Sequence, residues 1–295
     1  MNRLFALAGI SKQGFHQWLD RKIKCKEEQM QLLPIIRQIR EDHPRLSCRE
    51  IYYMLKPKYM GRDRFEAFCY TYGFKIQVYK NKYKTTDSLG VIRFPNLLLT
   101  TKELTGTNQI WVSDITYYQI LNEVYYLTFI SDLYSRQIVG YSASQTLKTE
   151  DTTLIALHKA IKQRHIHIGS NLIIHSDGGG QYYCKDFLKV TKHYHMRNSM
   201  GKSAYDNPHA ERINGTIKND YLAYYKPQNF QELTTMLTKA VNLYNTQRPH
   251  KALNRLSPEA FEIQTSNGLL TIKWVINKKK KVTKKEKVNI TIKST

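Results

Sequence analysis

The stretch QIWVSDITYYQILNEVYYLTFISDLYSRQIVGYSAS (residues 109–144) decides the fold, because it contains three consecutive β-strand patterns. β-Branched and aromatic residues dominate the runs 109–120, 123–133 and 136–144, which only Leu121-Asn122 and Tyr134-Ser135 separate. Such residues favour extended chain, and gaps this short join neighbouring strands as hairpins. The stretch therefore predicts an antiparallel meander.

Helix and strand patterns alternate after the meander. The spacing of apolar residues predicts a helix near 150–164 with a face formed by Leu154, Leu157, His158 and Ile161. The apolar run LIIHSD (172–177) predicts a buried strand, and a helix (183–193) and a short strand (196–200) follow it. The next helix starts at Pro208 with Asn207 as its N-cap, and a last helix spans 233–244. This order predicts an α/β fold over residues 105–265, with a mixed sheet flanked by helices.

The first 79 residues predict a small helical domain. Ser11 precedes one helical pattern, SCRE (47–50) opens a second as a capping box, and DRFE (63–66) opens a third. The turn residues Gly9-Ile10 ahead of the first pattern make this region helix-turn-helix-like. Arg62 and Arg64 flank the start of the third helix and are candidate DNA contacts, although the apolar stripes of these helices equally fit an ordinary core.

Two polar, basic segments flank the predicted α/β core. Residues 80–104 contain Pro95 and suit a linker. Residues 266–295 form a Lys-rich C-terminal tail, with nine Lys and one Glu from Thr271 onward. Its alternating segments TIKWVIN and VNITIK would pair as a hairpin or stay mobile.

The overall charge restricts the class of partner. A formal net charge of +22 and a pI of about 9.7 attract polyanions, so we expect a nucleic acid or an anionic membrane. The sequence contains no run close to the roughly 20 apolar residues that a membrane-spanning helix needs. The cysteines are far apart and form no CxxC pair, which argues against a zinc knuckle and indicates reduced thiols in a cytosol.

Three acidic residues occupy unusual positions in the predicted elements. Asp114 lies in mid-strand on the same face as Val112, where an unpaired carboxylate is costly. Asp177 ends the strand 172–177 ahead of three glycines, a context that also fits an ordinary Asp turn. Glu211 lies in the first turn of a predicted helix, where an acidic residue also simply favours the helix dipole.

Other polar residues fit structural roles better. Asp132 lies at a strand end beside Arg136 and fits a structural ion pair or a turn cap. His175 fits a packed or hydrogen-bonded histidine, and His193 and His195 lack the cysteine pair that a zinc site needs.

A mid-strand residue, a neighbouring strand end and a helix start can converge at one edge of a mixed sheet. Two carboxylates at about 4 Å repel each other by about 4 kcal/mol at an effective dielectric constant near 20. Three carboxylates together therefore imply a cation, and ligation by oxygen alone selects Mg²⁺ or Mn²⁺. Two such ions would hold the attacking and leaving oxygens of a phosphodiester.

Four strings carry a family resemblance: WVSDITYY, HSDGGGQY, SMGKSAYDNPHAERINGTIKNDYL and YNTQRPHKALNRLSPEAFE. In this order, over about residues 105–262, they resemble the catalytic core of insertion-sequence transposases, which share the integrase (RNase H-like) fold with retroviral integrases. Residues 11–75 resemble, more weakly, the helical domain that precedes this core.

The resemblance implies roles for individual residues. Asp114, Asp177 and Glu211 match the acidic triad, Lys218 matches the lysine that lies along the DNA end, and Asn207 matches the asparagine ahead of the glutamate. The sequence departs from the family pattern in two places: only the 33 residues 178–210 separate the last two acids, and Gly178 replaces a residue that is often longer and polar.

The function implied by the resemblance is metal-dependent DNA strand cleavage followed by 3′-hydroxyl strand transfer of a mobile element. The expected cofactor is Mg²⁺ or Mn²⁺, as two ions, and the expected partners are the element ends, target DNA and further copies of the chain. A separate, upstream-encoded DNA-binding protein is another candidate partner. The alternatives are an RNase H-like nuclease without joining activity and a non-catalytic DNA-binding protein. We expect a cytoplasmic, nucleoid-associated protein that does not bind membranes.

Overall fold

The computed structural model describes residues 5, 9, 11–76, 93–201, 206–276 and 291–292. The chain divides into two compact units, Met1–Val78 and Tyr79–Thr295. Within the described ranges, every helix lacks the combination of length and hydrophobicity that crossing a membrane requires.

The described part of the first unit is helical, as predicted. It contains α1 (Lys12–Asp42), α2 (Cys48–Leu55) and α3 (Arg62–Thr71). The Ser11 side chain accepts a hydrogen bond from the Gly14 N–H, and Ser47 accepts one from the Glu50 N–H, which confirms both predicted caps. The helices enclose a small apolar core: Leu32, Ile36, Leu46, Cys48, Ile51, Met60, Phe65, Phe68 and Cys69.

Two details of this unit correct the sequence prediction. The N-cap of α3 is Gly61, so Asp63 lies inside the helix, where its carboxylate forms an ion pair with Arg62 at 2.8 Å. The first helical pattern continues as the 31-residue α1, in which Trp18 is 48% exposed. Most of the segment ahead of α1, on which the helix-turn-helix expectation depends, lies outside the described residues.

The second unit is built around a mixed sheet. A short strand, β1 (Glu103–Leu104), precedes the predicted meander, which forms as β2 (Ile110–Ile120), β3 (Glu123–Asp132) and β4 (Ile138–Ser144). The strands β5 (Ile173–Ser176) and β6 (Arg197–Met200) follow. Five of these strands form one sheet in the order β4-β3-β2-β5-β6, antiparallel through the meander and parallel from β2 to β6.

Helices cover both faces of this sheet. The helices α4 (Thr153–Arg164) and α5 (Lys185–His193) pack on the face that contains Trp111 and Ile130. The opposite face is covered by α6, which begins as Pro208–Gly215, becomes a π-helix over Thr216–Leu222 and ends with Ala223–Tyr225. The next helix, α7 (Phe230–Thr246), packs beside α6, and α8 (Pro258–Ser266) follows. The predicted fold class, a mixed sheet flanked by helices and preceded by a helical unit, is confirmed.

The inner face of α4 differs from the prediction. His158 is exposed, whereas the small residues Ala156 and Ala160 are buried. The cause is a close approach of α4 to β4, because a Cβ atom on Gly140 would overlap the Ala156 carbonyl oxygen.

The segments predicted as linker and tail both contribute to the core of the second unit. Leu97, Leu98 and Leu104 pack against the same apolar cluster as Leu270 and Ile272. Strand β1 pairs with a later strand, Trp274–Val275, and Leu270–Thr271 pairs with Thr291–Ile292. Apolar residues of both segments thus pack with the core of the second unit.

Candidate active site

The parallel pairing of β2 with β5 places two of the predicted carboxylates side by side. Val112 pairs with His175, so Asp114 lies two residues further along β2, and Asp177 follows His175 by two residues, directly after the end of β5. Neighbouring strands lie about 4.8 Å apart, and residues two apart share a face. Both side chains therefore start from adjacent backbone positions on the sheet face that α6 covers.

Asp114 is a carboxylate held by two hydrogen bonds in a largely buried position. Its Oδ1 accepts from the Ile115 N–H at 2.9 Å, and its Oδ2 accepts from Asn214 Nδ2 at 2.7 Å. Burial and the negative charge of Asp177 raise the pKa of Asp114 to about 7, and the charge of Glu211 acts in the same direction. The charge of Asp177 thus destabilises the ionised form of Asp114.

Asp177 also forms the turn that its sequence context predicts. Its Oδ1 accepts a hydrogen bond from the Gly179 N–H at 3.2 Å, and burial raises the pKa of this carboxyl group. Behind the pair, on the opposite sheet face, the Tyr182 hydroxyl lies 2.9 Å from Ser113 Oγ. Burial, followed by the charges of the two aspartates, raises the pKa of Tyr182, so its hydroxyl stays neutral.

One face of α6 supplies further polar groups. Glu211 is exposed and lies one turn before Asn214, whose side chain contacts Asp114. Lys218 lies one turn after Asn214, in the π-helical segment; such segments frequently occur at functional sites. Its Nζ donates to the Tyr117 carbonyl oxygen at 3.1 Å, and burial lowers its pKa while the charge of Asp114 opposes this shift.

Asn207 ties the start of α6 to the strand that carries Asp114. It occupies the predicted N-cap position, but its side chain makes no capping bond to the described residues. Its Nδ2 instead donates to the Ser113 carbonyl oxygen at 2.8 Å, and the residue is only 3% exposed. The sequence pattern located this residue, whereas its role in anchoring β2 depends on a contact between residues that are far apart in the chain.

The donor set of these residues fits a hard divalent cation. No three Asp, Glu, His or Cys side chains in the described ranges already surround a common point. The carboxylates of Asp114 and Asp177 nevertheless provide oxygen donors, and Glu211 is close enough for its charge to act on Asp114. The Lys218 Nζ bonds to a backbone carbonyl and not to these carboxylates. A cation between the carboxylates would remove the repulsion that raises the pKa of Asp114.

Comparison with known proteins identifies the class of this core. Two family models, both described as integrase core domain, match residues 105–205 and 193–258, together more than half of the chain. A 31 kDa protein of insertion element IS600 from Shigella sonnei is 29% identical over 265 residues, which cover 86% of this chain and 95% of that protein. The chain belongs to the insertion-sequence transposases with an integrase core. The family resemblance seen in the sequence is thereby confirmed.

Two further matches are a transposase and an integrase core domain. The transposase for insertion sequence element IS904 from Lactococcus lactis is 29% identical over 187 residues, 62% of this chain and 72% of that protein. Among solved structures, the catalytic core domain of HTLV-2 integrase in complex with magnesium matches with a TM-score of 0.43 and 24% identity, over 52% of this chain and 95% of that chain. These similarities show the family and not the roles of single residues, so the catalytic roles of Asp114, Asp177 and Glu211 stay predictions.

Asp132 is a turn cap, which is one of the two structural roles predicted for it. Its oxygens accept hydrogen bonds from the N–H groups of Asn108 at 2.6 Å and Tyr134 at 2.8 Å. The ion pair with Arg136 does not form, because the Arg136 guanidinium lies 2.7 Å from His209 Nδ1 instead.

The remaining predicted residues play structural roles or belong to the first unit. The His175 Nδ1 lies 2.9 Å from Ser199 Oγ, and burial lowers the pKa of His175 to about 4, which confirms a packed, neutral histidine. Arg62 and Arg64 belong to the first unit and are both exposed. Their contact with DNA stays a prediction.

Proposed function

We propose that this transposase cleaves and joins DNA at one site formed by Asp114, Asp177 and Glu211. The observation that supports this most strongly is the parallel register of β2 and β5, which brings two half-buried carboxylates near each other, while α6 carries the third. Carboxylates whose pKa values are raised by burial and by a neighbouring negative charge cluster at functional sites, so this arrangement indicates that they bind a ligand.

Asp114 and Asp177 would hold divalent cations, Mg²⁺ or Mn²⁺, and Glu211 would complete the ligand set. When bound, two such ions activate an attacking oxygen and stabilise the leaving oxygen of a phosphodiester. In the cleavage step, water is the attacking group and a 3′-hydroxyl leaves. In the joining step, that 3′-hydroxyl attacks a second phosphodiester.

Residues around the carboxylates orient them and the DNA. Asn214 fixes one oxygen of Asp114, and Asn207 fixes the backbone of β2 one residue earlier. Lys218 would act as a point charge on a DNA phosphate, which would replace its bond to the Tyr117 carbonyl.

DNA and further copies of the chain are the proposed partners. The net charge of +22 provides salt-sensitive affinity for DNA, with each phosphate contact adding about 0.9 to the salt slope. Arg62 and Arg64, at the start of α3, are proposed to contribute to it, alone or together with an upstream-encoded DNA-binding protein. Two element ends must be joined in one reaction, which favours a multimer.

A strand-transfer assay tests the proposal. A labelled duplex carrying the end of the mobile element is incubated with target DNA and Mg²⁺, and products are resolved for the unaltered chain, Asp177→Asn and Asp186→Asn. Asp186 is an exposed aspartate of the same core, so its variant matches the charge change away from the site. We expect cleaved and joined products from the unaltered chain and Asp186→Asn, and neither from Asp177→Asn.

Three other outcomes are informative. Cleavage without joining would favour the nuclease alternative. Binding without any DNA processing, by all three proteins, would favour the non-catalytic alternative. Processing that survives in Asp177→Asn would remove this carboxylate from the reaction and contradict the proposal.

A further inference from the structure

A cavity of about 290 Å³ opens beside the start of α6. Its lining includes Leu98, Val112 and Trp274 as apolar walls, and Arg136 and Asn207 as polar groups. Val112 lies two residues before Asp114 on the same face of β2, a separation of about 7 Å along the strand. The cavity is therefore the immediate neighbour of the candidate active site.

The donor group of this cavity is the Arg136 guanidinium. It lies 2.7 Å from His209 Nδ1 and 5.7 Å from the centre of the Trp274 ring. No Asp or Glu in the described part of the chain forms an ion pair with Arg136, although buried cations usually have such a partner. Its remaining N–H groups are thus available to a ligand that offers hydrogen-bond acceptors.

Asn207 Oδ1 is a buried acceptor in the wall of the cavity, beside Asp206, which also lines it. The amide orientation is fixed, because Nδ2 donates to the Ser113 carbonyl oxygen at 2.8 Å. Asn207 is 97% buried, as its 3% exposure shows, and Oδ1 has no hydrogen-bond partner among the described residues. A buried acceptor without a donor costs about 1–3 kcal/mol, so this atom indicates a ligand that carries an N–H or O–H group.

We infer that this cavity binds one unpaired nucleobase of the DNA strand held at the active site. The inference rests on the proposed DNA-processing function. A nucleobase presents an acceptor and a donor side by side on one edge, which match Arg136 and Asn207, and its flat ring matches the apolar walls and Trp274. A phosphate has only acceptors at neutral pH and would leave Asn207 Oδ1 unpaired. Guanine fits best, because its O6 and N7 accept from arginine while its N1–H can donate to the asparagine.

Binding to two short single strands tests this inference. One probe is an octanucleotide of mixed sequence, and the other is an octamer of tetrahydrofuran abasic units with the same phosphates. Fluorescence anisotropy with the full chain in EDTA measures both affinities without any reaction. The unaltered chain, Arg136→Gln, Trp274→Leu and the control Arg197→Gln are compared. Arg197 is exposed on β6, so its variant removes the same charge outside the cavity.

We expect the unaltered chain and Arg197→Gln to prefer the base-containing strand by about tenfold or more, as stacking and one bidentate contact imply. In Arg136→Gln and in Trp274→Leu this preference should fall about tenfold. Circular dichroism spectra identify any variant that does not fold. If one cavity variant does not fold, the other one tests the inference.

Two results would overturn the inference. If Arg136→Gln weakens both strands equally, the cavity contacts phosphate and not a base. If all four proteins show the same ratio of affinities, or no preference for bases, the cavity binds no nucleobase. Strand transfer that depends on Asp177 would remain intact in either case, so the failure of this inference is distinguishable from the failure of the proposed function.

Discussion

Replacing Asp114 by asparagine should make the metal-free chain more stable. Burial and repulsion by Asp177 raise the pKa of Asp114 from 3.8 to about 7. The difference between these two pKa values corresponds to about 4 kcal/mol, because a tenfold change in an equilibrium constant is worth about 1.4 kcal/mol. Asparagine has one acceptor oxygen and one NH2 group, so it keeps both bonds, as neutral ones, only if Asn214 turns its amide and accepts with Oδ1, which now has no partner among the described residues. This exchange loses about 1 kcal/mol, so we expect a net gain of about 3 kcal/mol.

The pH dependence gives this prediction a specific form. The carboxyl group is harder to ionise in the folded chain than in the unfolded chain, so its ionisation destabilises the fold. This destabilisation is small below pH 4, grows between pH 4 and 7, and is complete above pH 7. The stability difference between Asp114→Asn and the unaltered chain should therefore be larger at pH 8 than at pH 5, by about 2.5 kcal/mol.

Urea unfolding in EDTA, followed by circular dichroism, measures both free energies. Glu150→Gln is the matched control, because Glu150 is exposed and loses the same charge. Mg²⁺ should then stabilise the unaltered chain by about 1.4 kcal/mol at ten times its dissociation constant and leave Asp114→Asn unchanged. An Asp114→Asn variant that is less stable than the unaltered chain at pH 8, or a difference that is the same at both pH values, would refute the reasoning.

Three further changes have defined outcomes. Burial lowers the pKa of His250 to about 3, so this histidine binds a proton more readily in the unfolded chain. Between pH 8 and pH 5 it should therefore lower the free energy of unfolding by about 2 kcal/mol. His250→Gln should lack this contribution, and the exposed control His158→Gln should keep it. Asn214→Ala removes the 2.7 Å bond to Asp114 and should reduce strand transfer about tenfold with little change in the circular dichroism spectrum; full activity would show that the bond does not orient the carboxylate. Gly140→Val overlaps a backbone carbonyl of α4 and should lower the urea midpoint by the equivalent of about 3 kcal/mol.

The elements of the core could be predicted from the sequence because each depends on local pattern. The alternation in 109–144 sets the meander, and Pro208 sets the start of α6 within one residue. Local pattern singled out Asp114 as a carboxylate in mid-strand, whereas its grouping with Asp177 and Glu211 depended on the family resemblance. Local pattern also identified Asp132 as a structural residue.

Contacts between distant residues could not be predicted. The partner of Asp114 is Asn214, 100 residues later, and a neutral asparagine on a helix gives no signal of such a role. Arg136 was paired with its sequence neighbour Asp132, but the backbone N–H groups of the turn satisfy that carboxylate and leave the guanidinium to His209. The pairing of β1 with Trp274–Val275 joins segments that each look like basic, polar connections.

The position of Asp114 explains why a bound cation would stabilise its negative charge. Its strand is the centre of the sheet, with β3 bonded on one side and β5 on the other, so the backbone cannot move to separate Asp114 from Asp177. From one sheet face Asn214 holds the carboxylate, and from the other Tyr182 bonds to the adjacent Ser113. Protonation would relieve the repulsion but would remove an oxygen ligand. A divalent ion relieves the repulsion and keeps both carboxylates ionised. The rigid backbone that holds the two charges close together in the metal-free chain therefore also holds their oxygens in place to bind a cation.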